Sequence, residues 1–309
     1  MTDRTLLERD AELAEFDRAL LEAESGATRT VVVRGEPGIG KSSLLAAAVD
    51  RAAARGFEVR RATFTVVSPQ TANGLLWEWF GAEAHRDDPA PVFDGPAEML
   101  RGVLRGERTA EPVALAYAAQ WAVSGLDGAR PVLLVVDDLQ WGDEASRRLL
   151  VTLVARLLTD RILIVIATRP DPALDADPAV SAMLAGPRTS LLEPRPLSLD
   201  AVGELSAGTG ADAARVLAAS GGVPFYVREL IDHGLESGPA RVREGLRERL
   251  AALPPDARAV VETAVVVAEG IAPGVVADAA LLAALDEARG VELRKELGEP
   301  RAADARGIR

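Results

Sequence analysis

The chain has 309 residues, 48% of them apolar but only 4% aromatic, and a net charge of −12. That is room for one large domain or two modest ones, with a core built mainly of Ala, Val, Leu and Ile. The acidic balance argues against nucleic-acid binding through overall charge, and the absence of cysteine excludes disulfides and thiolate metal sites. His85 and His233 lie far apart with no ligand spacing around either, so they read as ordinary helix or surface residues. The charged start lacks the apolar region of a signal peptide. No apolar run reaches the roughly 18 residues of a membrane-spanning helix. The expectation is a soluble, cytoplasmic chain with no membrane partner.

In chain order, Leu6, Leu7, Leu13, Phe16, Leu20 and Leu21 recur at near-helical spacing and predict an amphipathic helix. "TVVVRG" (30–35) predicts a short buried strand ending in glycine. Residues 41–56 predict a helix closed by Gly56, and 57–67 a second strand. The stretch 68–95 is irregular apart from the apolar helix in "GLLWEWFGA", where Trp77 and Trp79 read as an aromatic plug on the core, with a ligand platform as the alternative. Helices follow at 96–106 and 112–125. "ARPVLLVVDDLQW" (129–141) predicts a buried strand ending in two Asp, 143–158 a helix, 161–170 another buried strand and 189–198 a shorter one. Apolar strands alternating with helices imply a parallel sheet covered on both faces. From about Leu199 the strand signal stops, and helices are expected at 199–207, 211–220, 224–236, 241–252 and 255–268, with a polar, frayed tail after that.

One loop carries the chemistry. Gly35, Glu36, Pro37, Gly38, Ile39, Gly40, Lys41 and Ser42 fit G-x-x-x-x-G-K-[ST], between an apolar strand and a helix. The glycines allow left-handed backbone angles that turn N–H groups inward. The helix start, with Ser43 in its first turn, adds the positive end of a dipole. Lys41 is expected on the β- and γ-phosphates and the Ser42 hydroxyl on Mg²⁺. The chain writes arginine at 33 of its 35 basic positions, yet writes lysine here. A compact ammonium fits inside such a loop where a planar guanidinium does not. Asp137 closes the strand "VLLVVD", where a metal-holding aspartate belongs. Asp138 could orient or deprotonate an attacking water, or it could be a cap or turn residue. Thr168 and Arg169 end the next strand, and ligands of open parallel sheets sit at the carboxyl ends of strands. Arg169 then faces the γ-phosphate, unless it is a surface residue before Pro170.

Together these motifs resemble the STAND class of AAA-related P-loop ATPases, an origin-recognition-like AAA domain. The likeness is to the ATPase module of large ATP-binding LuxR-type regulators. It covers about residues 5 to 285: "LLERDAELAEF" before the first strand, "RGEPGIGKSSLL" as Walker A, "LLVVDDLQWGDEAS" as Walker B with Trp141 and Asp143, "ATRP" as the sensor strand, and "SGGVPFYVREL". The resemblance implies a P-loop NTPase α/β domain over 1–197, a helical lid over 198–238, a partial winged-helix region over 239–290 and a polar tail over 291–309. It also implies that Arg9 approaches the nucleotide, that Arg169 is a sensor arginine, and that Pro224 packs on adenine with Gly222 allowing the tight approach. The Arg-rich segment 241–250 also carries Glu244 and Glu248 and reads as a solvated face, and the family's DNA-reading domain is not expected within these 309 residues.

The reading is an Mg²⁺-dependent module that binds ATP and ADP, hydrolyses ATP slowly and signals through a protein partner or self-association. Direct DNA binding is not expected. Two alternatives stay open: a nucleotide-holding module without useful catalysis, and a P-loop phosphotransferase.

Overall fold

Five strands form one parallel sheet: β1 (Arg29–Arg34), β2 (Glu58–Thr63), β3 (Val132–Asp137), β4 (Ile162–Thr168) and β5 (Thr189–Leu192), in the order β2-β3-β4-β1-β5. This computed structural model describes residues 6–64, 72–87, 90–126, 128 and 130–233. The strands read as unbroken apolar runs because both faces are buried. Side chains alternate between two separate layers of core. Val132, Leu134, Val136, Ile162, Ile164 and Ile166 face one layer, and Leu133, Val135, Leu163, Val165 and Ala167 face the other.

The second layer is closed by α1 (Asp10–Glu24) and α2 (Lys41–Ala54), through Phe16, Leu20, Leu44 and Ala48. The first is closed by α3 (Gly74–Ala84), α4 (Glu98–Leu104), α5 (Pro112–Leu126), α6 (Glu144–Arg156) and the short helices α7 (Pro172–Asp175) and α8 (Pro178–Leu184). The last two had no counterpart among the sequence expectations. Asp177 caps α8 by accepting from the Ala179 N–H at 2.8 Å, and Pro178 supplies a preset first turn.

Three differences from the expected elements have local causes. β5 stops at Leu192 rather than running to 198, because Pro194 and Pro196 have no N–H for the ladder. The helix after β1 ends at Ala54, and Gly56 leaves it at φ 81°. Trp77 and Trp79 do not form a common plug. Two positions apart on a helix, they cannot share a face: Trp79 is 1% exposed, while Trp77 is 41% exposed and stacks on His85 with ring centroids 5.3 Å apart.

The chain divides into two compact units, Met1–Arg195 and Pro196–Arg309. In the second, described to residue 233, three helices follow one another: α9 (Leu199–Ser206), α10 (Ala213–Ser220) and α11 (Pro224–His233). Ser198 and Asp212 cap the first two, and Val202, Val216, Val227 and Leu230 are buried. The helices expected at 241–252 and 255–268, the winged-helix region and the polar tail lie outside the described residues. Among the described residues no helix is long and apolar enough to cross a membrane.

Candidate functional site

All five strands are parallel, so their carboxyl ends share one edge of the sheet, where the order places β4 between β1 and β3. The loop after β1, the acid pair after β3 and the Thr168–Arg169 corner after β4 are therefore neighbours by topology. β1 and β4 pair as far as Arg34 and Thr168, and the Gly35 N–H donates to the Thr168 carbonyl at 3.2 Å.

The loop itself is a backbone structure. Gly38 and Gly40 take positive φ of 81° and 104°, and Gly40 opens α2 with no side chain capping the helix. The first N–H groups of α2 are thus left for an anion. At Gly35 a Cβ would come within 2.9 Å of the Ile39 side chain, so the loop closes only around a glycine. Glu36 and Ser42 are exposed, Ser43 is half-buried, and Pro37 makes the turn between them. Lys41 is 7% exposed, and its ammonium donates to the carbonyls of Gly35 at 2.7 Å and Glu36 at 3.1 Å. Burial, then the nearby Arg169 cation, push its pKa down; Asp138, Asp137 and Glu36 pull it up and lose. A lysine so placed gains from an incoming phosphate, which restores the missing negative charge.

Asp137 ends β3 half-buried. Burial raises its pKa, opposed by a hydrogen bond from Ser42, while Asp138 adds repulsion. Its Oδ1 is buried with no hydrogen-bond partner. A buried orphan carboxylate oxygen beside a serine hydroxyl is a hard-donor pair that suits Mg²⁺, a cation that takes few protein ligands and completes its shell with water and phosphate. No cluster of three or more His, Cys, Asp or Glu exists among the described residues that could hold a metal by itself.

Asp138 sits at φ 55°, ψ 50°, a left-handed conformation that Asp tolerates better than most residues. It starts a short 3₁₀ turn, Leu139–Trp141, and its carboxylate makes no capping bond there. Instead Oδ1 accepts from the Gln140 amide at 2.8 Å. Asp138 is thus a turn residue by backbone, and its side chain bonds to Gln140 rather than capping the turn. Arg169 lies half-buried with its guanidinium carbon 5.8 Å from the centre of the Trp141 ring.

Two further expected participants are Arg9 and Pro224. Arg9 is 4% exposed, and its guanidinium donates to the carbonyls of Arg195 at 2.7 Å, Glu8 at 2.9 Å and Ile39 at 3.4 Å. It ties the loop after β1 to the end of the first unit through the backbone. Pro224 begins α11 in the second unit. The tight approach at Gly222 is to the backbone of Leu197: the Gly222 carbonyl accepts from the Leu197 N–H at 2.8 Å, and a Cβ would meet the Leu197 oxygen at 2.5 Å.

The sequence motifs assign no role to Gln140 or Ser146, and mark Asp143 only as part of the Walker B stretch. Asp143 is 8% exposed and accepts from the N–H groups of Asn73 and Gly74, both at 3.1 Å, and of Ser146 at 2.9 Å, and from the Ser146 hydroxyl at 2.5 Å. One carboxylate thereby serves the N-termini of both α3 and α6. The D-x-x-S spacing was the available signal for half of this; the α3 half comes from a segment about 70 residues earlier.

The AAA ATPase domain family matches residues 5–166. Among solved structures, the chain is similar to the ORC1 protein of Aeropyrum pernix in complex with DNA, 16% identical, covering 96% of this chain and 80% of that one at a TM-score of 0.51. Cdc6p from Pyrobaculum aerophilum is 14% identical, covering 96% and 88% at 0.51. A Walker-type ATPase of Pyrococcus abyssi is 13% identical, covering 86% and 80% at 0.50. No curated protein matches the sequence. At these identities the structural likeness carries the fold, the P-loop NTPase sheet of AAA proteins, and it agrees with the expected origin-recognition-like architecture. With the family match spanning more than half of its length, the chain belongs to the AAA ATPase domain family.

Proposed function

We propose that this AAA domain binds ATP with Mg²⁺, hydrolyses it slowly to ADP and phosphate, and uses the two nucleotide states as a signalling switch of the kind found in LuxR-type regulators. The observation that supports it most is that Lys41 shares one electrostatic environment with Arg169, Asp138 and Asp137, which come from two other segments of the chain. A phosphate-binding lysine, a hard-donor pair and a second carboxylate on one sheet edge are the parts that hydrolysis needs.

In this reading the N–H groups after β1 and the Lys41 ammonium hold the β- and γ-phosphates. Ser42 and Asp137 hold Mg²⁺, which when bound neutralises charge on the phosphate oxygens. Asp138 accepts a proton from the attacking water or aligns it, and Arg169 offers positive charge to the γ-phosphate. The LuxR-type affiliation rests on the "LLVVDDLQWGDEAS" and "SGGVPFYVREL" motifs. Output passes to a protein partner or a second copy, because a switch needs a contact that differs between its states.

Release of phosphate from ATP and Mg²⁺ without any added acceptor tests the proposal. Turnover well above the uncatalysed rate supports it. A chain that holds ATP and releases no phosphate is a binding module, and one that needs an acceptor is a phosphotransferase.

A further inference from the structure

The ladder between β3 and β4 ends at Val136 and Ile166. Beyond that pair the strand ends are joined by a side chain. The Gln140 Nε2 donates to Asp138 Oδ1 at 2.8 Å, while its Oε1 accepts from the Arg169 N–H at 3.2 Å; the Thr168 hydroxyl, 3.4 Å from that oxygen, shares its proton with the Arg169 carbonyl at 3.2 Å. Chemistry fixes the amide orientation: a carboxylate can only accept and a backbone N–H can only donate. A primary amide of this length does both at once. The next residue, Trp141, lies against the guanidinium of the same Arg169. The two residues that follow Leu139 therefore hold one residue of the neighbouring strand end at its backbone and at its head group.

We propose that Gln140 is a positioning residue that couples Asp138 to Arg169, so that the carboxylate beside the attacking water and the cation beside the γ-phosphate are set by one amide. The inference rests on the proposed nucleotide site. Asp138 and Arg169 act on Lys41 with opposite sign, so displacing either alters the charge balance at the phosphates. Losing the amide frees Asp138 to turn in its 3₁₀ corner and removes the acceptor of the Arg169 N–H. Neither change touches the glycine cradle, so ADP is held as before.

The test uses the full chain, with phosphate release under single-turnover conditions and competition binding of ATP and ADP. Gln140→Ala is expected to slow release about tenfold and to reduce the preference for ATP over ADP about fivefold, with ADP affinity within about twofold of wild type. Gln140→Glu keeps the acceptor and removes the donor, placing a like charge beside Asp138 among Asp137, Lys41 and Arg169. Protonation restores a donor, so its rate relative to wild type rises as the pH is lowered from about 8 to about 6. A Gln140→Ala protein with wild-type rate and wild-type preference overturns the proposal. So does one whose ADP affinity collapses with its rate, since the amide would then be supporting the cradle. Should wild type release no more phosphate than Asp138→Asn, the hydrolysis reading fails by itself. The ATP-to-ADP preference then decides the coupling: a ratio unchanged in Gln140→Ala overturns it.

Discussion

The two halves of the site are built on different principles. The loop after β1 is shaped by backbone: positive-φ glycines, a helix start without a side-chain cap, and one lysine bonded to carbonyls of its own loop. The corner after β3 is shaped by side chains: Gln140 spans to β4, and Asp143 gathers four donors from α3 and α6. The first kind of site is encoded within a dozen consecutive residues. The second depends on groups that meet only when the sheet has formed, so it should respond to substitutions that leave the first untouched.

The largest effect is expected at the backbone-built half. Lys41→Ala removes the buried cation, and ATP affinity should fall by about 3 kcal/mol, roughly a hundredfold, in calorimetric titration. Thermal stability should hardly change, because burial already disfavours that charge. Asp143→Ala breaks the other half. One buried and two partly buried N–H groups lose their acceptor, which should cost about 2–3 kcal/mol of stability in urea unfolding. A loss no larger than that of an exposed helix cap would mean that α3 and α6 are not jointly held by this carboxylate.

Proton dependence separates the halves more finely. In the proposed site phosphate binding needs Lys41 charged, and burial with Arg169 lowers its pKa. Nucleotide affinity should therefore decline as pH rises, beginning below the range of an ordinary lysine. The proposed Mg²⁺ site needs Asp137 ionised, and burial raises its pKa. The Mg²⁺ contribution should weaken as pH falls, beginning above the range of an ordinary aspartate, and Asp137→Asn should abolish that acid limb while keeping the alkaline one. The smallest effect is expected at Trp141→Leu. Its contact with Arg169 is worth about 0.5–1 kcal/mol, so the preference for ATP over ADP should drop roughly two- to fivefold.

Legibility in the sequence follows the same division. Strands with both faces buried announce themselves as apolar runs, and the cradle as a spaced set of glycines with a lysine. The short helices α7 and α8 have too few turns to display a period, although Asp177 and Pro178 marked the start of one. Gln140 could not be singled out, because its partners Thr168 and Arg169 lie 28 and 29 residues on. Arg9 reads as a nucleotide contact by resemblance; its shortest hydrogen bond, to the Arg195 carbonyl 186 residues away, had no local signal. Trp77 and Trp79 are neighbours in sequence, and the helix turns them to different surroundings.

The claim on which the rest depends is that the acid pair belongs to the same working site as the cradle. Phosphate release and ATP affinity measured side by side in wild type and Asp138→Asn address it directly. The account predicts release slowed about a hundredfold with ATP affinity retained within about threefold. Equal release from the two proteins, at equal affinity, would contradict it.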